Sequence, residues 1–247
     1  MYLCKTEVNN KMKFLKYTWI ILGLAACNKP GIFLPLNDNP GASDINNLSQ
    51  VYIFFKTDKD GDTIADMHKN QIITTTHFVV HIDRRLPVKT LINDLDWLYK
   101  KRHKKSIHSR PGFHLYFSHV DTFHQKLRLN PFDSLQIMSP FYYSRQYVAR
   151  YKNSYSGKHI LHVDYDGKIF HLDTLQFRYP GEKKRIKETI YRHCPPTHPC
   201  RLFLNINYHI DYNRYNDIYG FLVNLDSSRV RLNHKQFWYN PDEIEKP

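Results

Sequence analysis

The chain has 247 residues, 41% of them hydrophobic and 15% aromatic, and a formal net charge of +13. That is enough apolar material for one large or two small folded domains, with no low-complexity tract to suggest extended disorder. The chain holds no P-loop, no HExxH and no GxSxG, so nucleotide hydrolysis, zincin-type proteolysis and α/β-hydrolase chemistry lack their motifs. The basic balance favours anionic partners, such as phospholipid headgroups, lipopolysaccharide, acidic glycan or nucleic acid.

In chain order, Lys13 and Lys16 precede the apolar run Tyr17 to Ala26. A bilayer-spanning helix needs about 20 such residues, and this run is roughly half that length. Basic residues, a short apolar core and small residues at Gly23, Ala25 and Ala26 have the shape of a secretory signal. Leu24-Ala25-Ala26-Cys27 resembles the lipobox of bacterial lipoproteins. The resemblance implies that residues 1–27 are a lipoprotein signal peptide and that Cys27 is acylated, palmitate included, and leads the mature chain. Met12 starts a signal of ordinary length, with Met1 to Lys11 an over-long beginning; a buried helix or retained anchor is the other reading of 17–26. Asn28 in place of aspartate points to the outer membrane, facing the periplasm. An address outside the cytoplasm weakens the nucleic-acid option.

Residues 28–47 hold Pro30, Gly31, Pro35, Pro40 and Gly41 among Asn and Asp, and read as a tether. A first α+β unit is expected over 48–125. It starts with a strand at Val51 to Phe55, a turn at Asp60-Gly61 and a strand at His77 to Ile82. After Pro87, Val88, Leu91, Ile92, Leu95 and Leu98 recur at helical spacing, which predicts an amphipathic helix over 87–103. Phe113 to Val120 alternates as a strand. Residues 126–157, rich in Tyr, Phe, Pro and Asn, read as a connector with one short helix near Ser144 to Tyr151.

A second unit is expected over 158–240, with a tail at 241–247. Its elements are a strand at His159 to Asp164, a turn at Asp166-Gly167, a return strand from Lys168 to Leu172 and a helix from Lys183 to His193. A strand from Arg201 to Tyr208 follows, then a helix capped by Asp211 with Tyr215, Ile218, Tyr219, Leu222 and Leu225 inward, and a last strand from Arg229 to Phe237. Asp58-Lys59-Asp60-Gly61 and Asp164-Tyr165-Asp166-Gly167 share one spacing after a strand, which suggests a duplicated α+β unit. The basic clusters at 100–105 and 183–185 read as solvated helix ends.

With Cys4 in the signal and Cys27 lipidated, Cys194 and Cys200 remain as an even pair around Pro195-Pro196-Thr197-His198-Pro199. A disulfide there is the first reading, with free thiols as another; a metal site from His193, Cys194, His198 and Cys200 is the competing ligand reading, and the prolines make its tetrahedral convergence awkward. Asp58, Asp60, Asp62 and Asp66 form a calcium candidate, since alternate carboxylates can surround a hard cation. The motif fails as an EF-hand, because its glycine comes too early and no bidentate Glu follows. The other reading is a polar hairpin turn. Fifteen histidines include His159 and His162, which alternation on a strand sends to opposite faces. No cofactor and no catalytic residue is expected.

The stretch His159 to Asp173, the following helix, Leu202 to Ile206, Ile210-Asp211-Tyr212 and the helix beyond are similar to the periplasmic domain of the ExbD/TolR family of biopolymer-transport proteins. Asp211 and Tyr212 match that family's V-D/P-Y step, and Arg84-Arg85-Leu86-Pro87 echoes it before the first helix. The resemblance implies an α+β fold of small mixed sheets with amphipathic helices on one face, in a duplicated ExbD/TolR-like unit. It also implies an envelope module that dimerises, touches peptidoglycan or docks a motor protein. The family's membrane carboxylate has no counterpart in Trp19 to Ala26, so proton coupling is not implied. The expected function is therefore a non-catalytic, lipid-anchored envelope module for interaction or transport support. Eighteen tyrosines and three tryptophans, including Trp97 and Trp238, support the alternative of a glycan-binding or glycan-processing surface lipoprotein.

Overall fold

The computed structural model describes residues 31–43, 45–69, 75–103, 114–133, 135–138 and 143–243. Residues 1–27, expected as a signal peptide, with Lys13, Lys16 and Cys27 among them, lie outside the described residues, as do Lys104, Lys105 and 244–247. The chain divides into two units, Met1–Ile32 and Phe33–Pro247, and every element described belongs to the second.

The fold is mixed α+β, as expected. In the first sheet the strands are β1 (Leu36–Asn37), β2 (Leu48–Thr57), β3 (Thr63–Met67), β4 (His77–Ile82), β5 (Leu115–Asp121) and β6 (Lys126–Pro131). Hairpin β2–β3 and hairpin β5–β6 are antiparallel, while β2, β4 and β5 run parallel. The turn between β2 and β3 uses Gly61 at φ 88°, a conformation that costs glycine nothing. Parallel strands need a crossover, and the one between β4 and β5 is a 3-10 turn at Val88–Leu91 running into α1 (Ile92–His103). Val88, Leu91, Leu95 and Leu98 are buried, as the helical spacing requires.

In the second sheet the strands are β7 (Gln136–Met138), β8 (His159–Tyr165), β9 (Ile169–Leu172), β10 (Leu175–Arg178), β11 (Cys200–Asn207), β12 (Val230–Leu232) and β13 (Lys235–Tyr239). Their order is β10-β9-β8-β11-β13-β7, with β12 also on β11. The last expected strand splits in two because Asn233 breaks the ladder: its N–H turns back to Leu202 O and its Oδ1 accepts the Lys235 N–H. Helices α2 (Ser144–Arg150), α3 (Lys152–Tyr155), α4 (Lys183–His193) and α5 (Tyr212–Val223) complete the described elements. Leu202, Leu204 and Ile206 join one core with Ile186 and Ile190 of α4 and Tyr215 and Ile218 of α5. Phe203 points the other way and packs with Tyr147 of α2 and Phe237 of β13. Both faces of β11 are therefore covered from Leu202 to Ile206.

The two sheets repeat one order. A hairpin (β2–β3, β8–β9) is followed by a strand parallel to its first arm (β4, β11), a helix (α1, α5) and a third parallel strand (β5, β13). The segments entering the two helices meet antiparallel at Pro87 and Asp211. Around that bridge the bonds are reciprocal: Val88 N–H donates to Ile210 O and Tyr212 N–H to Leu86 O, both at 2.8 Å. Asp211 and Tyr212 thus occupy the seam between the sheets. Asp211 caps α5 through the Arg214 N–H, and Tyr212 is fully buried, 5.8 Å from the Phe117 ring of β5. One contiguous hydrophobic core runs through both sheets, from Val51 to Trp238.

The segment expected as a tether is, from Phe33 to Ala42, laid into this body. β1 pairs with β5, and Ala42 bridges Leu129 of β6. Asn37 Nδ2 donates to Asn216 Oδ1 at 2.8 Å, and Asn39 Nδ2 to the Asp217 carbonyl at 2.9 Å. Asparagine-rich sequence is what a segment needs when it must satisfy buried polar groups along a helix. Residues 126–157, expected as a connector, supply β6 to the first sheet and β7, α2 and α3 to the second.

Candidate functional site

A cleft of about 600 Å³ lies at the carboxyl ends of β8, β11 and β13, where α2 begins. Ligands in sheets with parallel strands collect at such ends, because the backbone diverges there and leaves room between loops. Asp164 comes from the end of β8, Asn207 from the end of β11 and Tyr239 from the end of β13. The turn after β8 adds Asp166, β9 adds His171, and the start of α2 adds Tyr143, Arg145 and Gln146.

Asn205, fully buried on β11, holds the floor together. Its Nδ2 donates to Asp164 Oδ1 at 2.5 Å and to Val163 O at 3.1 Å, while its Oδ1 accepts the Ser144 N–H at 2.7 Å. One amide therefore fixes both the carboxylate and the first turn of α2. Ser144 Oγ in turn sits 2.7 Å from His162 Nδ1, and the His162 ring stacks on Phe203. Burial pushes the His162 pKa down to about 4, so the ring is neutral at physiological pH. Ser144 is itself fully buried, so this Ser–His contact is a brace beneath the cleft.

Burial raises the Asp164 carboxyl above the ordinary aspartate range, against the hydrogen bond from Asn205 and the nearby charge of Arg145. Tyr143 and Tyr239 lie with ring centres 4.7 Å apart at 37°. Burial, with the charge of Asp164, also raises the Tyr143 hydroxyl, so it remains a protonated donor at neutral pH. Arg145 approaches Asp173 at 3.4 Å, and Asp166 Oδ1 accepts the N–H groups of Lys168 and Ile169. Gly167, at φ 102°, lets the turn close against Ile210: a Cβ there would meet Ile210 Cγ2 at 2.9 Å.

The other sequence candidates have separate destinations. Asp58 Oδ1 accepts the N–H groups of Asp60 and Asp62 within its own turn, and Asp66 pairs with Lys56 and His68. Among the described residues no group of three or more His, Cys, Asp or Glu could hold a metal ion. Cys194 and Cys200 form a disulfide between the end of α4 and the start of β11. His159 and His162 do face opposite ways, His159 toward Cys200 Sγ and His162 toward Ser144. Lys183 is more than a solvated helix end: it reaches Asp38 at 2.6 Å and Asp217 at 2.9 Å. Trp238 is fully buried against Tyr215 and belongs to the core, while Trp97 carries Lys69 and Lys101 over its ring.

Sequence reasoning reached Asp164 and Asp166 as turn residues and missed Tyr143, Arg145, Asn207 and Tyr239 as partners. They are scattered over a hundred residues of chain, and their one shared signal is position at strand or helix ends. No helix among the described residues is long and apolar enough to cross a membrane. No protein-family model, curated protein or solved structure matches the chain.

Proposed function

We propose that this chain is a non-catalytic cell-envelope lipoprotein, anchored through Cys27 at the outer membrane facing the periplasm and working as an interaction or transport-support module. The observation that carries the binding role is the cleft at the strand ends, walled by tyrosines with a few polar side chains and set on a floor braced by Asn205, Ser144 and His162. A pre-formed concave site with aromatic walls and a few fixed polar groups is what a binding protein needs. The repeated strand order, and the Pro87–Asp211 seam at the positions that match the family step, support kinship with the ExbD/TolR periplasmic unit in a fused pair. The chain then supplies within one polypeptide the pairing a homodimer would otherwise make. Partners are the membrane through its lipid and, on the protein side, peptidoglycan or an envelope motor protein.

The anchor is tested by growing cells with labelled palmitate: wild type should carry label in the membrane fraction and Cys27→Ala should carry none. Label on Cys27→Ala, or an unlabelled wild type in the cytosol, overturns the address. The binding role is tested by a photo-crosslinking amino acid in place of the exposed Gln146 at the cleft rim. Adducts to peptidoglycan or an envelope protein are expected, and their absence under conditions where the protein is folded and exported overturns the module reading.

A further inference from the structure

We infer that the cleft at the ends of β8, β11 and β13 is a saccharide site, taking a short neutral glycan whose ring lies on Tyr143 and whose hydroxyls are read by Asp164 and Asn207. The inference rests on the binding-module reading and names the ligand class for it.

The charge balance of the lining argues first. Two carboxylates, Asp164 and Asp166, face one guanidinium, Arg145, with His171 beside them. Each carboxylate already accepts hydrogen bonds from the protein, Asp164 from Asn205 and Asp166 from the Lys168 and Ile169 N–H groups, so the cleft carries only a small net charge to select a cation or an anion. A neutral, strongly polar ligand is left. The aromatic wall argues second. Tyr143 is half-buried, and its ring centre lies 4.7 Å from that of the buried Tyr239 at 37°, so the two tyrosines together form an aromatic wall of the cleft. A sugar ring presents an axial C–H face to such a surface and hydroxyls at its edge, and tyrosine supplies both an apolar face and a polar tip. The polar set argues third. A carboxylate held by Asn205, an amide and two protonated phenols form a mixed donor and acceptor set suited to paired hydroxyls. The volume, about 600 Å³, lies inside the range of small-ligand clefts.

The test is calorimetric titration of the full chain in detergent with neutral di- to tetrasaccharides of glucose, galactose, mannose, xylose and N-acetylglucosamine. Spermidine and galacturonate oligomers serve as the cationic and anionic comparisons. At least one neutral series should bind. Tyr143→Ala and Asp164→Asn should each weaken that binding tenfold or more, and Gln146→Trp, an exposed rim change that fills the opening, should abolish it while thermal melting stays unchanged. The Trp variant keeps the test valid if Tyr143→Ala fails to fold. Binding that survives Gln146→Trp, preference for spermidine or galacturonate, or no binding in any series overturns the saccharide assignment. If adducts still form from position 146 in cells, the module reading stands without it; if both fail, both fall.

Discussion

At the scale of single residues, Gly220 is set by what it touches. It lies in α5 directly under the docked N-terminal segment, and a Cβ would come within 2.7 Å of both Asn39 Nδ2 and Asn130 Nδ2. Alanine would gain about 1 kcal/mol of helix propensity, but Asn39 is tied to Asp217 and Asn130 is fully buried, so neither can retreat freely. Overpacking of this kind costs about 1–3 kcal/mol. Gly220→Ala should therefore lower the urea midpoint, and a midpoint unchanged or raised would refute this packing. His81 sets a pH dependence. Its Nδ1 meets Ser118 Oγ at 2.9 Å, its Nε2 has no partner among the described residues, and burial pushes its pKa down to about 4. His162 behaves alike. Between pH 6.5 and 4 the unfolded chain takes up protons that these rings refuse in the fold. Stability is thus full above 6.5 and lost as pH falls toward 4, by up to about 3 kcal/mol for the buried His81 and by less for the more accessible His162. Asp164, with its raised pKa, works in the opposite direction over part of that range. Unfolding free energies measured from pH 7 to 4 should decline, and His81→Gln with His162→Gln should flatten the decline; a flat wild-type profile would contradict the burial of the rings.

At the scale of elements, two local devices fix α4 and α5. The Cys194–Cys200 bridge ties the last turn of α4 to the first residue of β11 across a short loop. On the loop-entropy argument it contributes about 2 kcal/mol. Reduction should lower Tm by about 4–8 °C for a body of this size, and an unchanged Tm would mean that the cystine constrains nothing. Asp211 accepts the Arg214 N–H at 2.9 Å as the N-cap of α5, so Asp211→Ala should cost about 1 kcal/mol, read as a shift in the urea midpoint. These elements were legible from sequence because each has a local cause. The i, i+4 pair Ile186 and Ile190, the capping aspartate and the proline stop after α4 lie within a few residues of what they control. Strands β6, β7 and β10 were not legible. Each lies at the edge of its sheet and is a strand because one neighbouring strand accepts its backbone.

At the scale of the whole molecule, the segment from Phe33 to Ala42 joins the first sheet to α5. Leu36 N–H donates to Asn213 Oδ1, Asn37 and Asn39 bond α5, and Asn224 Nδ2 donates to Pro40 O. Limited proteolysis should therefore spare residues 33–42, and Asn39→Ala should cost about 1–3 kcal/mol by orphaning buried groups. Early cleavage inside that segment would show that it is not docked. The two sheets also hold each other: Tyr212, Tyr215 and Tyr219 of α5 all meet the Phe117 ring of β5, edge-on. A unit cut away from its neighbour would expose that aromatic layer.

Periodicity, turn residues and caps act over a few positions, so the sequence by itself determined most helices, the two Asp-Gly hairpins and the pairing of Cys194 with Cys200. Hydrogen-bond partners supplied from distant chain cannot be read that way. The docking of residues 33–42, the second covered face of β11 and the gathering of Tyr143, Asp164, Asn207 and Tyr239 around one cleft were decided by the tertiary structure. Burial and pairing are properties of neighbours in space, and the chain order holds no record of which neighbours those will be.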